Sequence, residues 1–381
     1  MTTTSGHPPL GSLRPEGGGR GEGPGAPIAR ITPELRLAAA ARLLPDQSGD
    51  PTVAAERFLE SAAALGIDLE LLWGTLLPGS SVVRQVCLAV MGSGRTAMIF
   101  VSGPERRARS WTAAARLRAA PVVGSPEIAH RERIALIHHA CAEVAAPSSN
   151  NATLAQSLLE PREKEAAAAL RGAGFTALGD LIYMRRPFVR ADAEIGHTNA
   201  WPEGVRVCSL EELVRSGVSP ERVEELLRQT LQDSYIDTLD CPELCGLRSV
   251  DDVLDSHKAV GVYDPSIWWL AMEGDRPVGC LLLSVCPEHD SVELVYLGLS
   301  PRARGRGLGA ALMSMGLSRI AQVHLSEESA EGRPWVKGTG GLTCAVDTRN
   351  VPAMRLYRRL GFVRFGLRLP FVRGLIGGNA Q

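Results

Sequence analysis

Aromatic residues are scarce, at 5% of a 381-residue chain. Neither sign of charge prevails: 41 Lys and Arg stand against 42 Asp and Glu, for a net charge of -1. That balance argues against a general nucleic-acid or membrane-surface protein. No apolar run reaches about eighteen residues, so no transmembrane helix is expected. The N-terminus has no basic segment followed by an apolar one, so no secretory signal is expected. The eight cysteines lack metal-like spacing. Cys241 and Cys245 form a C-x3-C pair, but no second Cys or His pair completes a tetrahedral site, and no metal is expected. Ordinary buried or loop thiols in a reduced cytoplasmic protein are the simplest expectation.

The length exceeds one typical domain, and hydrophobic content of 45% permits sizeable cores. Residues 1–31 are rich in Gly, Pro, Ser and Arg and read as a disordered tail. The most telling stretch is Leu297-Gly-Leu-Ser-Pro-Arg-Ala-Arg-Gly-Arg-Gly-Leu-Gly-Ala-Ala-Leu312. Its apolar start reads as a strand. A helix is expected to begin near Gly309. Loop glycines let backbone N–H groups approach a phosphate, and the helix dipole favours negative charge there. Arg302, Arg304 and Arg306 add formal charge, although three arginines also suit a solvated surface loop.

Two familiar phosphate loops fit poorly. A P-loop needs Gly-Lys-Ser/Thr, because the lysine reaches the phosphates and the hydroxyl holds magnesium. Here Gly309 is followed by Ala310 and Ala311. Gly305, Gly307 and Ala310 match the dinucleotide G-x-G-x-x-G/A pattern, which leaves a dinucleotide-dependent oxidoreductase as a rival. That pattern expects a tight turn directly off the strand, and Pro301 to Arg304 intervene.

Some forty residues further on, Leu342 to Val346 reads as a strand and Asp347-Thr-Arg-Asn350 as a turn of N-cap formers. Val351 to Leu360 follows with apolar positions at helical spacing, and Gly361 sits where a C-cap glycine belongs. Phe362 to Leu369 reads as another strand. Arg304-Gly-Arg-Gly-Leu-Gly309 resembles the R/Q-x-x-G-x-G/A loop of the GNAT family of N-acetyltransferases. Asn350, Ala353, Leu356, Tyr357, Gly361 and Phe362 resemble the same family's Asn-x-x-A-x-x-L-Y-x-x-x-GF segment. The likeness covers roughly Val205 to Arg373. The family includes tandem members, a mycothiol-synthase type among them, which acetylates a sugar-linked cysteine amine. No motif here matches that type specifically.

An earlier trio echoes the second motif: strand Thr153–Leu159, helix Arg162–Leu170, then Gly174-Phe175 and strand Thr176–Met184. Aligning Gly174-Phe175 with Gly361-Phe362 suggests an internal duplication. On that alignment Leu170 falls on Tyr357 and Glu163 on Asn350. The first copy has no glycine-arginine loop; Val122 to Pro126 is the nearest candidate. The expected architecture is therefore α+β: tandem GNAT-like domains with a mostly antiparallel sheet flanked by helices. A degenerate copy spans 32–188, and a working one spans 189–381.

The resemblance implies an acetyl-CoA-dependent acetyltransferase acting on a primary amine, with a small-molecule acceptor expected. Its rival within the same fold is a non-catalytic acyl-CoA sensor or scaffold. Arg304, Gly305, Arg306, Gly307, Leu308 and Gly309 would anchor the pyrophosphate. By resemblance, Leu297 and Leu299 would offer backbone groups to the pantetheine, one of them polarising the thioester oxygen. Gly298 fits a close backbone approach. Glu293 is the candidate general base, or else an exposed edge carboxylate or ion-pair partner. Tyr357 is the candidate general acid, or a core tyrosine. Asn350 would contact pantetheine, cap its helix, or both. Asp237, Asp240 and Glu243 would attract a cationic amine or form a solvated loop.

Overall fold

The computed structural model describes residues 26–44, 51–103, 125–147, 151–194, 201–325 and 340–375. Among these, thirteen strands form one sheet in the order β1-β2-β3-β4-β5-β13-β7-β12-β11-β10-β9-β8, with β6 against β13.

The first half supplies β1 (Ile28–Arg30), α1 (Arg36–Leu43), α2 (Pro51–Ala62), β2 (Leu72–Leu76), β3 (Val83–Gly92) and β4 (Thr96–Val101). It continues with α3 (Pro126–Ala145), β5 (Leu154–Leu159), α4 (Lys164–Gly172), β6 (Thr176–Ala177), β7 (Leu181–Pro187) and α5 (Arg190–Glu194). The second half supplies β8 (Val205–Ser209), α6 (Leu210–Arg215), α7 (Pro220–Tyr235), α8 (Val250–Lys258), β9 (Trp268–Glu273) and β10 (Arg276–Cys286). It ends with β11 (Ser291–Leu299), α9 (Leu308–Leu325), β12 (Gly341–Asp347), α10 (Val351–Arg359) and β13 (Val363–Gly374).

Three sequence expectations need correction. Ile28–Arg30 is a strand on β2, so the proposed tail of 1–31 runs too far; residues 1–25 lie outside the described residues. The short strand β2 went unseen, because Gly74 interrupts its pattern. Gly74 belongs there because the Ile31 side chain and the Gln85 carbonyl crowd the space where a Cβ would stand. The strand expected over Thr176–Met184 is two pieces, β6 and β7.

The duplication is visible in hydrogen bonds. Gly174 and Gly361 both adopt positive φ, +82° and +84°. Each follows a helix and donates three residues back, to Arg171 O and Arg358 O. Phe175 N donates to Leu170 O, and Phe362 N to Tyr357 O. Both helices thus end in the same left-handed cap, with the phenylalanine buried behind it. Both copies also contain one parallel pair, β4 with β5 and β11 with β12, in an otherwise antiparallel sheet.

The copies exchange their last strands. β7 pairs along β12, from Leu181 opposite Asp347 to Pro187 opposite Gly341. β13 pairs along β5, from Leu369 opposite Leu159 to Gly374 opposite Leu154. Ile182 and Met184 accordingly lie in the second copy's core, and Phe371 lies in the first copy's. A division at 188/189 follows the sequence but not the cores. Arg95, at the end of the β3–β4 turn, adds a further tie: its guanidinium grips Asp252 at the start of α8 at 2.6 and 2.7 Å.

Candidate active site

The site starts where two strands part. β11 and β12 pair only at Val292 with Leu342 and Glu293 with Thr343. Beyond that point the edge of β11 that faced β12 has no strand partner among the described residues. On its other edge β11 stays bonded to β10, with one bulge at the Leu282/Leu283 step, which leaves Val295 out of register. A bulge bends a strand and increases its twist. Leu297 and Leu299 lie on this parted stretch, opposite Leu281 and Gly279 of β10. A strand edge with no strand partner is a template for an extended ligand, although its Leu299 carbonyl is taken by Arg304.

The gap leads to the glycine loop. Gly305 and Gly307 have φ of +76° and +81°, and open space lies where their Cβ atoms would be. Glycine is required there by backbone conformation rather than by crowding. α9 begins at Leu308, one residue earlier than expected near Gly309. Ala311 donates to Gly307 O, closing the first turn. The N–H groups of Leu308, Gly309 and Ala310 precede that turn and have no helical carbonyl to reach. They face the end of the dipole that favours anions. The Leu308 side chain is buried and serves the core, so only its backbone is available to a ligand.

Two arginines do not behave as free cations. Arg304 donates to the carbonyls of Leu299, Ser234, Ile236 and Asp237 at 2.7–3.1 Å. It is a strut tying the end of α7 to the end of β11, not a solvated phosphate ligand. Arg306 is ion-paired with Glu273. Gly298 is also structural. A Cβ there would stand 2.8 Å from Ser234 Oγ, so the close approach it permits is to α7 rather than to a ligand.

Glu293 is half-buried, and burial is the main force pushing its carboxyl above the usual range; His289 pulls the other way. The Cys286 thiol lies 3.9 Å from its Oε2. Register places Glu293 opposite Ser284 on one side and Thr343 on the other. Tyr357 approaches from the other face of the sheet. Cys344, one residue along from Thr343, alternates to that face, and both Cys344 and Tyr357 are buried in one core. Burial holds the Tyr357 phenol well above its ordinary value, with Cys344 next among the causes. Its ring packs 5.5 Å from Phe362. It is a core tyrosine and also a protonated donor near the gap. The hydroxyl makes no hydrogen bond among the described residues.

Asn350 caps α10: its side chain accepts from Ala353 N at 3.2 Å. Glu243 and Asp347 are both clamped by Arg349, and Asp240 accepts from Asp347 N at 2.9 Å. These carboxylates fix the loop after α7 to the end of β12 and are not a free acidic lure. Asp240, Cys241 and Asp347 do bring ligand-type atoms within 4.8 Å of one another. Burial pushes the Cys241 thiol up to about 12. Trp268 and Trp269 are core residues. The first copy's candidate loop, Val122 to Pro126, lies mostly outside the described residues.

The sequence reading missed Tyr183 and Arg185. Both sit on β7, and register puts Arg185 beside Thr343 and Tyr183 beside Ala345. The alternation of Ile182-Tyr-Met-Arg marks a strand with one buried face, but nothing local says which copy it joins.

Residues 235–362 match the family model described as Acetyltransferase (GNAT) family. A mycothiol acetyltransferase of Thermomonospora curvata is 30% identical over 202 residues, covering 53% of this chain and 58% of that protein. One from Streptomyces scabiei is 32% identical over 112 residues, covering 29% and 32%. The chain thus spans only part of the length of these curated relatives. Among solved structures, a GCN5-related N-acetyltransferase from Sphaerobacter thermophilus covers 92% of this chain and 96% of its own, at 17% identity and a TM-score of 0.49. A tandem GNAT protein from the clavulanic acid biosynthesis pathway covers 81% and 83%, at 13% identity and a TM-score of 0.39. The matched segment contains the parted strands, the glycine turn and the tyrosine helix, and residues 235–362 of this chain match a GNAT acetyltransferase domain.

Proposed function

We propose that the second module transfers an acetyl group from acetyl-CoA to a primary amine of a small molecule, and that the first module holds no acetyl-CoA. We divide the chain in sequence as 32–188 and 189–381, and place it in the reducing cytoplasm, where free thiols persist. The observation that carries the reading is the gap between β11 and β12, with the glycine turn at one end and Glu293 and Tyr357 on its two faces.

In this reading the backbone N–H groups from Gly305 to Ala310 hold the pyrophosphate. The parted edge of β11 pairs with the pantetheine like a missing strand. A backbone N–H of that edge polarises the thioester carbonyl, where a pre-aimed donor gains most as charge develops. Glu293 takes the ammonium proton through water, its carboxyl raised above the usual range by burial. The amine attacks the carbonyl carbon, the C–S bond breaks, and Tyr357 gives its proton to the leaving thiolate. Asn350 holds the start of the helix that carries Tyr357.

The relatives named mycothiol acetyltransferases make a sugar-linked cysteine amine the first acceptor to try. The test is thiol release from acetyl-CoA against a panel of amines: cysteinyl-glucosamine, amino acids, polyamines, aminoglycosides and peptide N-termini. Turnover with at least one is expected. Tight acetyl-CoA binding with no turnover on any amine would favour a sensor. Binding of NAD(P)H in place of acetyl-CoA would favour an oxidoreductase.

A further inference from the structure

The exchanged strands leave an unusual face beside Glu293. Glu293 lies opposite Thr343, Thr343 opposite Arg185, and Arg185 opposite Val363, so these four residues cross β11, β12, β7 and β13 on one face. Tyr183, two residues from Arg185, shares that face. Phe365, left out of register by the bulge between Arg364 and Gly366, turns to it as well. Its ring meets Tyr183 edge-on at 6.1 Å, and the Arg185 guanidinium stacks over it at 5.7 Å. Arg368 sits over the Tyr183 ring at 5.9 Å.

The opposite side of β7 is core, whereas this side is open. Ile182 and Met184 are buried, Arg185 is exposed, and Val363 and Phe365 are 57% and 51% exposed. An exposed ring, a half-buried ring and an exposed aliphatic side chain in the middle of a sheet, rimmed by guanidinium groups, have the composition of a small-ligand platform. Glu293 is the carboxylate at its edge. An ammonium group is complementary to Glu293, and a ring is complementary to the Tyr183–Phe365 pair. Burial raises the Tyr183 phenol, the Arg368 guanidinium opposes that, and the Glu293 charge adds to it.

We infer that the acceptor is a ring-bearing amine docked on this exchanged-strand platform, with Tyr183 of the first module as a specificity-determining residue for the second module's site. The inference rests on the acetyltransferase reading of that site. It gives the degenerate copy a part in recognition, because β7 brings Tyr183 and Arg185 to the far side of the gap from the acetyl-CoA loop. The acceptor's ring stacks on Tyr183 and Phe365, its polar substituents meet Arg185, and its amine reaches Glu293.

The test needs no identified acceptor. Bromoacetyl-CoA carries an alkylating carbon where the acetyl methyl would be. Tyr183→Cys and Arg185→Cys place a thiol on the platform. Its thiolate would displace bromide to form a thioether, found by peptide mass spectrometry. Labelling of at least one of these positions, suppressed by excess CoA, is expected. Thr176→Cys, on an exposed residue of β6, should stay unlabelled. Calorimetry of the wild-type protein with CoA separates the platform from the acetyl-CoA site. If CoA binds and neither platform cysteine is labelled, the platform is wrong and the acetyl-CoA site stands. If CoA does not bind at all, the site reading itself fails, and the inference with it. The substrate class is tested by Tyr183→Phe and Tyr183→Ala in the amine panel. A rise in the amine KM of roughly tenfold or more in the Ala variant alone, with the acetyl-CoA KM unchanged, is expected. An unchanged amine KM in both would overturn the role of Tyr183.

Discussion

The two halves of this chain share a scaffold and differ in chemistry. Phe175 and Phe362 close their helices with the same hydrogen bonds, and strand registers repeat around them. Met98 pairs with Gln156 in the first copy where Glu293 pairs with Thr343 in the second. Leu170 fills the helix position of Tyr357, and both are buried. Glu163 stands for Asn350, with no side-chain cap bond where Asn350 makes one. The shared positions are the glycine and phenylalanine that end the two helices. The divergent ones are the helix N-cap, the buried Leu170/Tyr357 position and the residues paired across the parallel strands. Packing is retained because each copy needs the other's last strand to complete its core, so losing the first copy's fold would also dismantle the second copy's site. Catalytic groups in the first copy carry no such constraint.

The largest difference between the two halves is expected at Tyr357. Tyr357→Phe should lower turnover by ~10²-fold or more if this phenol is the only acid. Acetyl-CoA affinity should hold, because the hydroxyl acts as the thiolate leaves rather than while the thioester is intact. The ring keeps its contact with Phe362, so stability should change little. Wild-type kcat at saturating amine would make the two helices equivalent in chemistry and return Tyr357 to the core alone.

Next in size is the glycine turn, which the first copy's sequence lacks. Gly307→Val forces a β-branched residue to a φ of +81°, a strain of about 1–3 kcal/mol. It should weaken CoA affinity roughly tenfold or more, each 1.4 kcal/mol being tenfold. Arg304→Ala should act differently. It removes a charged donor from four carbonyls, so its main effect is on stability, about 2 kcal/mol, read as a lower Tm. A variant of unchanged Tm with selectively lost affinity would put Arg304 back on the phosphate.

The smallest effect expected is in pH dependence. The Glu293 carboxyl is raised by burial, so it is a base only above that raised value. kcat/KM should fall as pH drops through it, with an acid limb above the ordinary glutamate value of about 4.3. Glu293→Gln should abolish that limb. A limb that persists in the Gln variant belongs to another group.

Much of this was legible in the sequence, and the failures have physical reasons. Gly305 and Gly307 announce positive φ, because few other residues tolerate it. Tyr357 and Phe362 fall at helical and cap spacings. Arg304 reads as a cation for a ligand, yet its carbonyl partners lie up to 70 residues upstream, beyond any local pattern. The exchange of β7 and β13 is invisible for a related reason. Alternation along a strand specifies which face is buried but not which copy buries it. Ile182 and Met184 would satisfy either core by pattern alone. The platform at Tyr183 and Phe365 therefore appears only once the strands are assembled.

If one acetyl-CoA site works on two equivalent scaffolds, calorimetric titration of the full chain with CoA should give one site per chain. Gly307→Val should largely lose that site. Two equivalent sites, or one site that survives Gly307→Val unchanged, would contradict the single-site reading.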